Sequence, residues 1–350
     1  MLEALLKKYN HRRKEQFFQS PLFQTQKTYA FIGVGIHSLT NFYPLLRHFN
    51  IRLKYICTKG SDWSRQLSPL FPGCIFTHDL KDILQDKEVA GVFVCTDPDA
   101  HYSLLQTLLG ANKNVFVEKP PCRDGSQLRQ LLPLYPEGIC KVGLQRRYWP
   151  GNRYIQKKCR QATSYTYQFQ TGPYPQGDPF TELFIHPLDY AQFLFGPAQL
   201  ASFSEQNNNQ GITLQLHLTH PGAVSGLLHL STHYTWNPPL ECLSVNTKNE
   251  SLLVQYPASV TGQQMPFRVL NIPAERLMHQ PATLKEYFSG VPTLTPALET
   301  NALYTQGFLS EIERFVSLVE NPGTAKAGEA NDLPSLLNTY EIMEKIRQGP

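Results

Sequence analysis

Two acids and a histidine stand among apolar residues in TELFIHPLDY, residues 181–190: Glu182, His186 and Asp189. Spacings of four and three would set them along one face of a helix. Such a stripe is either a structural ladder of ion pairs or the wall of a site where an imidazole, titrating near neutrality, exchanges protons beside carboxylates. Leu183, Phe184, Phe193 and Leu194 leave little room for a wholly solvated surface, so the stripe is expected to face a cleft. Pro187 would remove a helical hydrogen bond and bend the chain just after His186. A zinc reading of Glu182 and His186 with the distant His229 and His233 lacks a recognisable ligand spacing, and no metal is expected.

A second group with chemical meaning lies in FIGVGIHS. Gly33 and Gly35 sit where an apolar run hands over to a helical pattern, with Ile36, His37 and Ser38 following. The first glycine permits a tight turn, the second lets backbone approach a pyrophosphate, and Ser38 is small enough to keep helix and strand close. The end of the next strand normally supplies an acid for a ribose 2′-hydroxyl. Here CTKGSDWSR gives Thr58 and Lys59, with Arg65 nearby, so NADP is favoured and NAD remains open; Asp62 is a displaced alternative acceptor. NVFVEKPPC brings Glu118, Lys119 and Pro120 to the end of a further strand, where ligands of open α/β sheets bind. LQRRYWP adds Arg146, Arg147 and Tyr148 at a junction, able to hold an anionic substrate group or to pair across a hinge. Tyr174, Phe180 and Trp236 are candidates to stack on a sugar ring.

The elements that must position these groups follow from periodicity. Between residues 28 and 147, short continuous Val, Ile and Phe runs alternate with helical patterns, which predicts a doubly wound parallel sheet covered on both faces. From Tyr148 the texture changes: ATSYTYQFQTG, GITLQLHLTH, AVSGLLHLSTHYTW and SLLVQYPASV alternate with period two, as in a mostly antiparallel sheet with one wet face. The fold class is therefore α/β followed by an α+β domain over 148–332, with a closing helix over 333–350 and a basic extension over 1–27. One long helix is expected in NALYTQGFLSEIERFVSLVEN and another in LPSLLNTYEIMEKIRQ.

At 350 residues, 41% apolar and 17% charged, the chain has the composition of a folded soluble protein. A formal charge of +4, with basic residues dispersed apart from the N-terminal stretch, argues against nucleic acid as a partner. No apolar run reaches the roughly 18 residues of a membrane span. Seven scattered cysteines without a CxxC pair suggest buried thiols in a reducing compartment, and a cytoplasmic location is expected.

Taken together, FIGVGIHS, TDPDAH with Thr96 and His101, the Glu118-Lys119-Pro120 run, GLQRRYWP and ELFIHPLD resemble the glucose-fructose oxidoreductase, inositol dehydrogenase and MocA family (Gfo/Idh/MocA). The resemblance spans the chain from Tyr29 onward. It implies a Rossmann domain and an open-faced sheet domain. It also implies hydride exchange between NAD or NADP and a carbinol or carbonyl of a sugar, cyclitol or related metabolite, and homodimers or homotetramers formed through the second sheet. It assigns dinucleotide contacts to the glycine turn, Thr96, His101, Glu118 and Lys119. Handling of the hydroxyl proton falls to Lys119 and His186, with Glu182 as a third catalytic group. Arg147, Tyr148 and Asp189 would stand on the substrate side. Glu182 departs from the usual Asp by one methylene. Two other readings stay open: a member that holds NAD for transient oxidation during glycoside cleavage, and a non-catalytic dinucleotide-binding regulator or assembly subunit.

Overall fold

The computed structural model describes residues 5, 7–9, 25–60, 63–174, 177–235, 239–265, 268–270, 272–273, 276, 284–290, 298–326 and 328–349. Most of the N-terminal extension, Asp62 and Trp236 lie outside the described residues.

The continuous apolar runs pair as one parallel sheet. Strands β1 (Thr28–Ile32), β2 (Leu53–Cys57), β3 (Ile75–Thr77), β4 (Val89–Val94), β5 (Asn114–Val117) and β6 (Cys140–Val142) stand in the order β3-β2-β1-β4-β5-β6. The order reverses between β1 and β4, so their carboxyl ends open a crevice suited to a ligand. Alternate residues feed two cores. Ala30, Val92 and Val115 pack on Leu105, Leu108 and Leu128 of helices Pro98–Gly110 and Gly125–Leu131. Tyr29, Phe31, Phe93 and Phe116 pack the other way, on Leu45 and Leu46 of helix Tyr43–His48 and on Ile312, Phe315 and Val316.

That second set corrects the expected domain boundary. Helix Phe308–Glu320 falls within the expected 148–332 domain in sequence, yet it covers the first sheet, Phe315 meeting Phe93 edge-on at 5.0 Å between ring centroids. Burying such a ring stabilises by about 1.5–3 kcal/mol, more than a linear division of the chain can override. The long late helix is also two, Leu298–Gln306 and Phe308–Glu320, parted at Gly307. Gly307 has φ +97°, and a Cβ there would lie 2.1 Å from the Gln145 carbonyl oxygen, so only glycine lets the helix seat against the junction. The final helix, Leu333–Gln348, returns to the first half too: Tyr340 donates to the Cys122 carbonyl (2.7 Å) and Glu344 accepts from the Gly125 amide (2.8 Å).

The second sheet contains β7 (Ala162–Gln170), β8 (Gln199–Asn208), β9 (Gly211–His220), β10 (Val224–Ser231), β11 (Leu240–Thr247), β12 (Glu250–Gln255), β13 (Ser259–Gln264) and, after a small β14–β15 pair (Arg268–Val269 with Ile272–Pro273), β16 (Leu284–Ser289). Its order is β16-β13-β12-β11-β7-β10-β9-β8, antiparallel except for the parallel β7–β10 contact. Tyr165, Tyr167, Leu216, Leu228 and Leu243 face inward toward helix Ile185–Phe195, while Thr166, Gln168, Gln215 and Leu227 alternate outward. Among the described residues no helix is long and apolar enough to cross a membrane.

Candidate active site

At the carboxyl end of β1 the chain turns at Gly33, φ +108°, where a Cβ would lie 2.1 Å from the Cys95 carbonyl oxygen. The Gly33 amide donates to the Cys57 carbonyl (2.9 Å), and Tyr43 Oη donates to the Gly33 carbonyl (3.1 Å), fixing the turn to β2 and to the helix behind it. Gly35 is extended, and a Cβ there would meet nothing within 4 Å, so this backbone fronts open space. Ser38 is fully buried; its Oγ accepts from the Gly35 amide and donates to the Gly35 carbonyl, both at 2.9 Å. The expected single helix is parted at Phe42, because Pro44 supplies no amide to the turn before it.

A cleft of about 930 Å³ lies over these carboxyl ends. Gly33, Gly35, Ile36, His37 and Ser38 form one wall, Thr58 and Lys59 one end, and Thr96, His101, Glu118 and Lys119 the opposite side. Arg65 is exposed on helix Ser64–Leu67 and is not part of the lining, whereas Lys59 is. His78, just after β3, and Asp97 also line the cleft and were missed by sequence reading, because neither belongs to the glycine pattern. Tyr174 closes the end near Lys119.

Lys119 leaves the end of β5 with its Nζ donating to the Glu182 carbonyl oxygen at 2.7 Å. Burial lowers its pKa, against the opposing pull of the Glu118 and Glu182 carboxylates. Glu118 accepts from the Lys119 amide (3.1 Å) and stands 3.5 Å from His37 Nε2. His101 Nδ1 lies 2.8 Å from the Pro120 carbonyl, which can only accept, so the buried ring ties helix Pro98–Gly110 to the loop after β5, while its Nε2 has no partner among the described residues.

The Glu182–His186–Asp189 stripe does not act as one face. A wide π-helical turn, Phe180–Phe184, precedes the α-helix Ile185–Phe195, so the regular spacing behind the expectation is lost. Glu182 accepts from Tyr174 Oη (2.6 Å) and from the Asp178 amide (2.9 Å), so its carboxylate fastens the Tyr174 loop. His186 is 8% exposed, with Nδ1 buried and unpartnered. Burial, then the positive charges of Arg146, Lys119 and His37, push its pKa well below the ordinary imidazole value, so the ring is neutral at neutral pH. Asp189 takes the Arg147 guanidinium in a two-point fork, Nε to Oδ2 at 2.9 Å, and Arg147 also reaches Ser335 Oγ at 2.9 Å. Their charges are spent on each other, and neither lines the cleft; the substrate-side reading of both gives way to pairing across the junction. Tyr148 is half-buried beneath Lys141 and likewise off the cleft. Arg146 forks Glu241 on β11 with both bonds at 2.7 Å, joining the halves beside His186. Among the described residues no His, Cys, Asp and Glu cluster is arranged to hold a metal.

Behind Glu118, the fully buried Glu311 accepts from the Leu144 amide at 2.6 Å while its other oxygen has no partner among the described residues. Burial, then the Glu118 charge, push its carboxyl well above the usual range. A raised carboxyl contributes stability fully present below its unfolded value and lost as pH rises through the folded one. Glu311→Gln keeps the acceptor and removes that loss. It is expected to raise stability near pH 8 by about 1 kcal/mol or more, and to flatten the decline above about pH 5, read from denaturant midpoints.

With this geometry in view, residues 27–144 match the family described as the GFO_IDH_MocA oxidoreductase family, NAD-binding Rossmann fold. Over that stretch, about a third of the chain, the sequence is similar to the Gfo/Idh/MocA oxidoreductases. The uncharacterised oxidoreductase YhhX of Escherichia coli K12 is 30% identical over 185 residues, 48% of this chain and 53% of that protein, so the match spans about half the length of that curated relative. A dehydrogenase from Chromobacterium violaceum has the same fold, with a TM-score of 0.78 at 15% identity over 92% of this chain and 94% of that one. KijD10, a 3-ketoreductase from Actinomadura kijaniata solved with NADP and TDP-benzene, matches with a TM-score of 0.71 at 15% identity over 92% and 97%. These neighbours share the fold across the second sheet as well as the first.

Proposed function

We propose that the chain is an NAD(P)-dependent oxidoreductase, preferring NADP, that moves a hydride between the nicotinamide and a carbinol or carbonyl of a sugar, cyclitol or related polar metabolite. The observation that carries this reading is the cleft over the glycine turn with the partly desolvated ammonium of Lys119 in its wall, its Nζ held by the Glu182 carbonyl; His186 is buried off the lining, within reach of the Lys119 charge. A dinucleotide fits the residues present: Gly35 offers backbone with room for a pyrophosphate, and the cleft of about 930 Å³ runs from Thr58 and Lys59 past the glycine turn to Glu118 and Lys119. Gly33 to Ser38 would hold the pyrophosphate, Thr58 and Lys59 the adenosine ribose, and Thr96 with Glu118 the nicotinamide end. The nicotinamide, when bound, supplies the hydride chemistry.

The chain's own groups do the rest. Lys119 Nζ, oriented by the Glu182 carbonyl, places positive charge where the substrate oxygen gains negative charge. His186, held neutral, takes the hydroxyl proton in oxidation and returns it in reduction. Glu182 positions Tyr174 through its carboxylate and Lys119 through its backbone carbonyl. A sugar-like substrate is consistent with the neighbouring UDP-N-acetylglucosamine 3-dehydrogenase GnnA of Acidithiobacillus ferrooxidans and with KijD10. On the outer face of the second sheet, Leu227 is 55% exposed and Leu253 41%, and we read this face as the contact with a second copy.

Saturable NADPH binding, followed by nicotinamide fluorescence, is expected for the wild type. Gly35→Glu, which fills the open backbone with a carboxylate, is expected to weaken it by about 100-fold or more. Absence of binding by either dinucleotide would overturn the reading, and full affinity without turnover on a polyol and keto-sugar panel would favour a regulator.

A further inference from the structure

His78 follows β3 directly and lines the end of the cleft that also holds Thr58 and Lys59. Its Nδ1 lies 2.7 Å from the Thr58 carbonyl oxygen. A carbonyl accepts and never donates, so Nδ1 carries the hydrogen and the neutral ring has its lone pair on Nε2. The strand β2 that ends beside it offers no carboxylate at Thr58 or Lys59, which is where doubly wound sheets usually place an acceptor for the ribose 2′-hydroxyl. An acceptor nitrogen of fixed tautomer therefore stands beside the place of the missing acid.

We propose, resting on the dinucleotide reading above, that His78 reads the 2′ position of the adenosine ribose and lets one site take both dinucleotides. With NAD, neutral Nε2 accepts a hydrogen bond from the 2′-hydroxyl. With NADP, the imidazole takes a proton from solvent, and Nε2–H donates to the 2′-phosphate while Nδ1–H stays on Thr58. A carboxylate at this place would repel the phosphate, and a second lysine would offer the hydroxyl no acceptor; an imidazole serves each partner in a different protonation state. Lys59, on the same rim, adds charge for the phosphate alone.

Four charged groups lie near His78, and three of them are engaged elsewhere. Lys59 faces the same end of the cleft. Asp79 caps the following helix by accepting from the Lys81 amide at 2.9 Å, and Asp82 takes the Thr77 hydroxyl. Asp97, on the facing wall, accepts from the Asp99 amide at 3.0 Å as the cap of helix Pro98–Gly110.

The test is calorimetric titration of the intact protein with NADP⁺ and with NAD⁺ near pH 7.5, in two buffers of different ionisation enthalpy. Wild type is expected to take up a fraction of a proton on binding NADP⁺ and none on binding NAD⁺. His78→Ala is expected to abolish that uptake, to weaken NADP⁺ by about 10-fold or more and to weaken NAD⁺ about 5-fold. Lys59→Ala is expected to weaken NADP⁺ alone and to keep the uptake. Uptake that survives in His78→Ala, or affinities that do not change there, overturns this inference while leaving the dinucleotide reading intact. Wild type that binds neither dinucleotide overturns both.

Discussion

Lys119→Ala is expected to lower kcat by about three orders of magnitude while NADPH affinity stays within about threefold. The ammonium sits at the carboxyl end of β5, partly stripped of water and aimed by one bond from Nζ to the Glu182 carbonyl. Removing it leaves the substrate oxygen without positive charge as the hydride moves, and takes nothing from the pyrophosphate cradle. His186→Ala should act in parallel, with a loss of about 10²–10⁴-fold, because a neutral buried imidazole is the group able to exchange the hydroxyl proton. Single-turnover rates on a reducible keto-sugar, measured beside NADPH titrations, check both; equal falls in kcat and kcat/KM would mark interactions made in the transition state. A variant with unchanged single-turnover rate removes its residue from the mechanism.

Gly33→Ala is the substitution expected to damage the fold most. At φ +108° a side chain is strained by about 1–3 kcal/mol. The new methyl would also lie 2.1 Å from the Cys95 carbonyl oxygen and 2.8 Å from its carbon, so the end of β4 must move. A combined loss of about 4 kcal/mol or more is expected in denaturant unfolding, together with loss of dinucleotide binding. Gly35→Ala makes the contrast: its methyl meets nothing within 4 Å, so the unfolding midpoint should hold while binding weakens. Equal stability for the two variants would contradict this account of the turn.

The continuity of VFVC and VFVE was enough to read the buried parallel strands, because strands covered on both faces need no polar alternation. The same logic hid β8 and β11. QLASFSEQNN is an edge strand exposed along most of its length, so no inward face marks it, and LECLSVNT places the charged Glu241 inward, where a distant arginine neutralises it. Distance in sequence also concealed the second half of the site. The sequence alone leaves Arg147 a substrate or a hinge role, and Asp189, 42 residues away, occupies its fork. The even spacing of Glu182, His186 and Asp189 suggested one face, but a π-helical turn cannot be read from spacing; it separated an anchoring carboxylate from a buried imidazole and a junction ion pair. His78 carried no local signal at all, since its meaning comes from the parallel pairing of β2 with β3.

A crystal structure with NADP⁺ bound tests the central claim most directly. The account predicts the nicotinamide at the Lys119 end of the cleft, with its C4 within about 5 Å of both Lys119 Nζ and the His186 ring. A nicotinamide ring lying elsewhere, or with C4 turned away from those two side chains, would contradict it.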